Sequence, residues 1–104
     1  MFIVLYNFVV KPGQEDIFVD AWTNLTDLIY KHEGSLGSRL HKSETQQYIA
    51  YAQWPRQFVF DKAGSNLPEE ADAYRDAMRT SCEKIEVLQK LEVVKDVLKQ
   101  TPNV

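Results

Sequence analysis

The stretch that most constrains this chain is Gly34 to Pro55, GSLGSRLHKSETQQYIAYAQWP. It reads as two strands joined by a short polar turn and closed by a proline, which has no N–H for a ladder. Side chains along a strand alternate between faces. Leu36, Ser38, Leu40, Ala50, Ala52 and Trp54 therefore share one face, and Arg39, His41, Ile49, Tyr51 and Gln53 share the other. The first face is apolar and small-walled; the second is amphiphilic. Neither has the composition of a plain solvated face, so the sheet is expected to carry something on both sides. The turn near Glu44-Thr45-Gln46 has no Gly and no Asn-Gly, which predicts a loop longer than two residues.

The flanking segments supply the remaining elements. Residues 2–10 are a nearly unbroken apolar run rich in β-branched and aromatic types, the pattern of a strand covered on both faces. Asn7 is the one polar residue inside it. Ile3, Leu5, Asn7 and Val9 share one face; Phe2, Val4, Tyr6, Phe8 and Val10 share the other. Pro12-Gly13 ends this strand. Ile17, Phe18, Ala21, Trp22, Leu25, Leu28 and Ile29 then recur at helical spacing, with acids at Glu15 and Asp16 and a stop at Gly34. The predicted helix covers 13–32. A short helix is expected within 56–63, carrying Phe58, Val59 and Phe60. Another starts near Pro68-Glu69-Glu70, with Ala71, Tyr74, Met78 and Cys82 as its buried stripe. Beyond it, Ile85, Leu88, Leu91, Val94 and Leu98 fit a helix, while Ile85, Val87, Leu91, Val93 and Val97 fit a strand. Periodicity alone does not decide. A fourth strand would cover an open sheet edge and complete β-α-β-β-α-β, so 84–96 is assigned as a strand.

Composition narrows the function classes. At 104 residues the chain suits one domain, 1–104, with a modest core and no need of metal or disulfides. The formal charge is -3 and no Lys/Arg run exists, which argues against nucleic acid. The single cysteine, Cys82, fits a reducing compartment and the role of a buried filler. The apolar opening MFIVLYNFVV lacks a basic flank and a small-residue cleavage site, and it is too short for a bilayer span. A cytoplasmic location is expected, with no membrane partner. The two histidines and one cysteine have no metal-ligand spacing, and no phosphate loop, nucleophile elbow or dinucleotide fingerprint occurs.

The segment YAQWP at 51–55, preceded by GSLGSRLH at 34–41 and by Pro12-Gly13 with its amphipathic helix, resembles the antibiotic biosynthesis monooxygenase family. The resemblance extends over nearly the whole chain. It implies an α+β, ferredoxin-like β-α-β-β-α-β fold with an antiparallel sheet, pairing as a homodimer into a dimeric α/β barrel. It also implies a substrate cavity between each sheet and its own helices, with the other sheet face against the partner. Members include cofactor-independent oxygenases that turn polycyclic phenols into quinones, quinol oxygenases and haem-degrading enzymes; others have no established activity.

Carried over residue by residue, the resemblance is uneven. Trp54 matches the tryptophan that ends strand three and borders the cavity in quinone-forming members. Ala50 stands where some of those members carry an asparagine, and Phe60 where they carry a tyrosine. Asn7 matches a strand-one asparagine of the haem-degrading branch. That branch also needs a helical histidine and a later tryptophan, both lacking here, so haem degradation is disfavoured.

The resulting expectation is a cofactor-independent oxidoreductase, a monooxygenase acting on a small aromatic phenol or quinol and O₂. Asn7 is the catalytic candidate, as an amide that orients a hydroxyl or peroxy group; its alternative is a structural amide satisfied by neighbours. Trp54, Tyr74, Trp22, Leu40, Ala50, Phe60 and Met78 are the substrate-binding candidates. No metal, no cofactor and no general base is assigned. His41 falls with Arg39 and Tyr51 on the face expected to meet a partner. The competing expectation is a non-catalytic dimeric binding or regulatory protein of the same fold, which the missing polar groups at Ala50 and Phe60 favour.

Overall fold

The computed structural model describes residues 1–99. The apolar run becomes β1 (Phe2–Val10), a central strand. It is followed by α1 (Glu15–Glu33), β2 (Gly37–Glu44), β3 (Gln47–Trp54), α2 (Gln57–Asp61), α3 (Ala71–Ser81) and β4 (Cys82–Glu92). The sheet order is β2-β3-β1-β4, and every neighbouring pair is antiparallel. This is the ferredoxin-like β-α-β-β-α-β arrangement expected from the sequence. Residues 100–104, part of the expected 1–104 domain, lie outside the described residues.

The helix α1 follows its sequence signals. Glu15 and Asp16 occupy its first turn, Lys31 and His32 its last, each matching the sign of the local helix dipole. Gly34 ends it in the left-handed region, at φ 82°. A Cβ added there would lie 3.1 Å from Cγ1 of Val59, so both conformation and space favour glycine. The buried stripe is narrower than the periodicity suggests: Phe18, Ala21, Leu25 and Leu28 are buried, whereas Ile17 is half exposed.

Two expectations about the connections change. The β2–β3 loop is a two-residue turn, Thr45-Gln46, rather than a longer one. Lys42 pairs with Tyr48 and Glu44 with Gln47, leaving Ser43 as a bulge that adds local twist. The turn is also pinned to the end of β1. Gln46 Nε2 donates to the Val10 carbonyl at 2.7 Å, and the Val10 N–H donates to the Gln46 carbonyl at 2.8 Å. These tertiary bonds and the bulge substitute for the glycine that an isolated tight hairpin favours; among the described residues no non-glycine residue has a positive φ. The strand assigned to 84–96 runs instead from Cys82 to Glu92, with a last bond from the Val93 N–H to the Met1 carbonyl at 2.9 Å. It stops where β1 stops offering partners, and residues 93–99 continue without regular structure.

The core lies between the sheet and the helices. Phe18 of α1 is fully buried, with its ring 4.9 Å from Phe8 and 5.3 Å from Tyr48. Burying such a side chain contributes about 1.5–3 kcal/mol. Val10, Met78, Ala71 and Cys82 extend this cluster. A second, smaller cluster joins Phe2, Val4, Ala52 and Trp54 to Val59 and Phe60 of the short helix α2. The two clusters leave a gap between them, where β3 carries only Ala50 and Ala52 and β2 carries Ser38 on the helix-facing side.

Candidate functional site

That gap is a cavity of about 220 Å³. Its floor is the helix-facing side of the sheet: Tyr6 and Phe8 from β1, Ala50, Ala52 and Trp54 from β3, Ser38 from β2 and Ile85 from β4. Its roof is Trp22, Leu25, Thr26 and Ile29 of α1, with Met78 of α3. The alanines explain its existence. Two small side chains in succession on one face of β3 withhold the volume that Leu or Phe would have filled, while the aromatic residues around them hold the walls apart.

Trp54 dominates the polar chemistry. It is only 4% exposed, and its Nε1–H has no hydrogen-bond partner among the described residues. A buried donor without a partner costs on the order of 1–3 kcal/mol. The indole packs edge-on against Phe60, with centroids 5.5 Å apart and planes at 72°. Tyr6 also lines the cavity, and burial pushes its pKa above the usual tyrosine value, so its hydroxyl stays protonated. The Ser35 hydroxyl, also on the wall, is already engaged: it accepts from the Gly37 N–H at 2.9 Å and reaches the Gln53 carbonyl at 3.4 Å.

The structure brings together Trp54, Trp22, Ala50 and Met78 among the predicted substrate-binding residues. Leu40 and Tyr74 pack against the neighbouring core, and Phe60 backs Trp54 from α2, so these three support the cavity without lining it. Asn7 is not brought to it. Asn7 sits on the sheet face turned away from the helices, because strand parity places it opposite in sense to Tyr6 and Phe8. Both ends of its amide are engaged there: Nδ2 donates to Glu86 Oε1 at 3.0 Å, and Oδ1 accepts from Gln47 Nε2 at 3.0 Å. The Asn7 bond is the largest influence holding the Glu86 carboxyl below the usual range, with the Lys84 charge contributing.

Tyr6, Phe8, Thr26 and Ile29 line the cavity but were not among the candidates. For Tyr6 and Phe8 the signal was present, since period two in β1 puts them with Val4 and Val10 on the helix-facing side. Cys82 is buried at the start of β4, and its thiol pKa is raised by desolvation, as befits a filler rather than a nucleophile. Among the described residues no three His, Cys, Asp or Glu side chains gather as metal ligands.

The opposite sheet face bears a wider groove of about 430 Å³, lined by Arg39, His41, Tyr51, Gln53, Leu36 and Leu98. Its charged side chains are exposed and His41 Nδ1 lies 3.1 Å from the Ile49 carbonyl. The smaller cavity is the better ligand site, because its walls are mostly apolar and include Trp54, whose buried Nε1–H has no partner among the described residues.

Comparison with known proteins agrees with this architecture. Solved structures of similar fold include SnoaB from Streptomyces nogalater, described as a cofactor-independent oxygenase, with TM-score 0.76, 13% identity, and 94% of this chain and 97% of that one covered. They also include Rv0793 from Mycobacterium tuberculosis, with TM-score 0.72, 11% identity, and 93% and 98% covered. A Caulobacter crescentus protein assigned to the antibiotic biosynthesis monooxygenases has TM-score 0.74 and 18% identity, with 90% of each chain covered. No curated protein sequence matches the chain. The sequence pattern that defines the antibiotic biosynthesis monooxygenase family matches residues 1–61, more than half of the chain, from β1 through the hairpin and Trp54 to α2. The chain belongs to the antibiotic biosynthesis monooxygenase family.

Proposed function

We propose that the protein is a cofactor-independent monooxygenase whose substrate is a small aromatic phenol or quinol. Family membership supports a monooxygenase-type function. The observation that carries the finer reading is an apolar cavity walled by Trp54, whose buried Nε1–H has no partner among the described residues. An aromatic ring fills such walls, and one ring oxygen satisfies the donor. A cavity of about 150 Å³ lined by aliphatic and aromatic side chains holds a benzene ring. At about 220 Å³ this one suits a substituted single ring or a compact two-ring system.

The reaction needs little from the protein beyond binding and orientation. An electron-rich phenolate passes an electron to O₂; one oxygen atom joins the ring and the other leaves as water, so a phenol with a free ring C–H becomes a quinone. Trp22, Met78 and Ala50 position the ring, and Trp54 holds its oxygen. We place this activity in a cytoplasmic, single-domain homodimer whose groove-bearing sheet face meets the second copy. Oxygen uptake with a panel of hydroquinones, naphthols and anthrones tests the activity, and light scattering over a concentration series tests the dimer.

Ala50 and Phe60 favour a second reading, a ligand-binding protein without turnover, because they stand where quinone-forming members carry polar groups. Saturable binding with oxygen uptake at background for every substrate supports the second reading over the first.

A further inference from the structure

We infer that Thr26 and Ser38 make the cavity selective for ligands that carry a second, uncharged hydroxyl or carbonyl group, and set it against carboxylated ones. This rests on the phenolic-ligand reading above but not on turnover.

Each of these residues interrupts an apolar row. Trp22, Leu25 and Ile29 line the cavity from α1, and Thr26 is the one hydroxyl side chain among them. Ser38 stands between Leu36 and Leu40 on the helix-facing side of the hairpin, paired with Ala52 of β3, which also lines the cavity. The two interruptions fall on opposite walls of one cavity, Thr26 in its roof and Ser38 in its floor. The fold uses neither hydroxyl. A helical threonine can bond back to the carbonyl four residues earlier. Thr23 does so, donating to the Val19 carbonyl at 2.7 Å. Among the described residues Thr26 makes no such bond, and the Ser38 hydroxyl has no partner. Ser35, the other serine of the wall, is by contrast engaged with the Gly37 N–H at 2.9 Å. Thr26 and Ser38 are half-buried, and neither hydroxyl is a fully buried unpaired atom, so solvent can serve both.

Charge is kept away from these walls. Among the described residues none that lines the cavity is charged. Asp27, beside Thr26, lies on the solvent side of α1 and pairs with Lys31 at 2.9 Å. Arg39, beside Ser38, lines the groove on the opposite sheet face. Serine and threonine hydroxyls both donate and accept, so they suit a hydroxyl or a carbonyl equally. A ligand that enters displaces their solvent. If its facing group is a hydroxyl or carbonyl, the lost bonds are replaced; if that group is a hydrocarbon, they are not. A site with polar groups to satisfy rejects the analogue that lacks the matching group. A carboxylate fails for a different reason, because its charge would leave water with no cation beside it.

Matched probes test this: the 3- and 4-isomers of ethylphenol and of hydroxybenzyl alcohol, which exchange a terminal methyl for a hydroxyl at nearly equal size, with the hydroxyphenylacetates as charged counterparts. An indifferent apolar pocket would favour the ethylphenols, which leave water more readily. Titrated against the intact protein by calorimetry without oxygen, at least one hydroxybenzyl alcohol is expected to bind as tightly as its ethyl partner or more tightly. The hydroxyphenylacetates are expected to bind at least about tenfold more weakly than either. Thr26→Val and Ser38→Ala should each move the ratio about tenfold toward the ethylphenol, tightening it while weakening the alcohol. Damage to packing would weaken both ligands instead. Thr26→Ser, which keeps the hydroxyl, should keep the parent ratio. Preference for ethylphenol in both isomer series, or a ratio that neither Thr26→Val nor Ser38→Ala moves, overturns the inference and leaves the phenol-binding reading intact. Hydroxyphenylacetate binding as tight as that of the alcohols overturns the selection against charge. Absence of binding by every probe at millimolar concentration overturns both readings. Selective binding with no oxygen uptake by any quinol keeps this inference and removes the oxygenase reading.

Discussion

The indole of Trp54 meets the ring of Phe60 edge-on at 5.5 Å, while the indole N–H has no partner among the described residues. The short helix α2 thus holds the tryptophan in place by its ring, not by its nitrogen. Trp54→Phe should keep most of the packing and remove only the donor. We expect phenol binding to weaken about tenfold, with stability falling by no more than roughly 1–2 kcal/mol, since the space left by the smaller ring is partly offset by deleting a costly unpaired donor. Phe60→Ala should reverse the balance, costing about 2–3 kcal/mol in a urea melt through lost aromatic packing. Calorimetric binding and denaturant unfolding of the two variants check both expectations.

The cavity owes its space to the alanines of β3. Ala50 is 1% exposed and stands opposite Tyr6 on β1 and Leu40 on β2. Ala50→Leu should therefore fill the cavity from its floor and abolish ligand binding. Its stability cost should stay within about 1–3 kcal/mol, the usual range for adding side-chain volume to a packed interior. A variant that folds and still binds phenols as tightly as the parent would show that the ligand site lies elsewhere.

Asn7 ties three strands together on the other face, between Glu86 of β4 and Gln47 of β3. Its bond is the main reason the Glu86 carboxyl ionises below the usual range. A carboxyl depressed on folding stabilises the native state above its unfolded pKa, and that contribution is lost as pH falls through its folded value. Asn7→Leu should raise the Glu86 pKa toward the ordinary carboxylate value and flatten the acid side of the stability curve. Carboxyl chemical shifts followed over a pH series measure the first, and urea midpoints at several pH values the second. Phenol binding by this variant should remain within about twofold of the parent, because its side chain does not reach the cavity.

Glu33 is a buried carboxylate at the end of α1, 7% exposed, that gathers the 64–66 loop. Removing it leaves two backbone N–H groups and an amide with no acceptor. Glu33→Ala should destabilise the fold by about 2–3 kcal/mol, in keeping with the loss of bonds to a charged group. Glu33→Gln should recover part of the loss by restoring one acceptor. Hydrogen exchange at Gly64 and Asn66 should accelerate in the alanine variant before the core amides do.

The local signals in this chain were sufficient for most of its elements. Helical spacing with terminal acids and Gly34 marked α1, and alternation marked β2 and β3, because both patterns are short-range consequences of where side chains point. The last segment fitted helix and strand equally well, and only the open edge beside β1 selected β4. The hairpin loop came out shorter than its residues suggest, since the bonds that hold it come from Val10, thirty-six positions away from Gln46. The site divided along the same line. Trp54, Trp22, Ala50 and Met78 were legible as its walls from motif and periodicity. Asn7 drew notice as the one polar residue in an apolar strand, yet parity and its two partners give it to the opposite face. Tyr6 passed unnoticed because a tyrosine among apolar neighbours looks like core until the gap beside it is seen. Sequence by itself determined the elements up to α3, the faces of their strands and helices, and the family, since these depend on residues close together along the chain. Only the tertiary structure decided which polar atoms are already satisfied and which, like the indole N–H of Trp54, are buried without a partner among the described residues, since that depends on what distant segments bring to the same point.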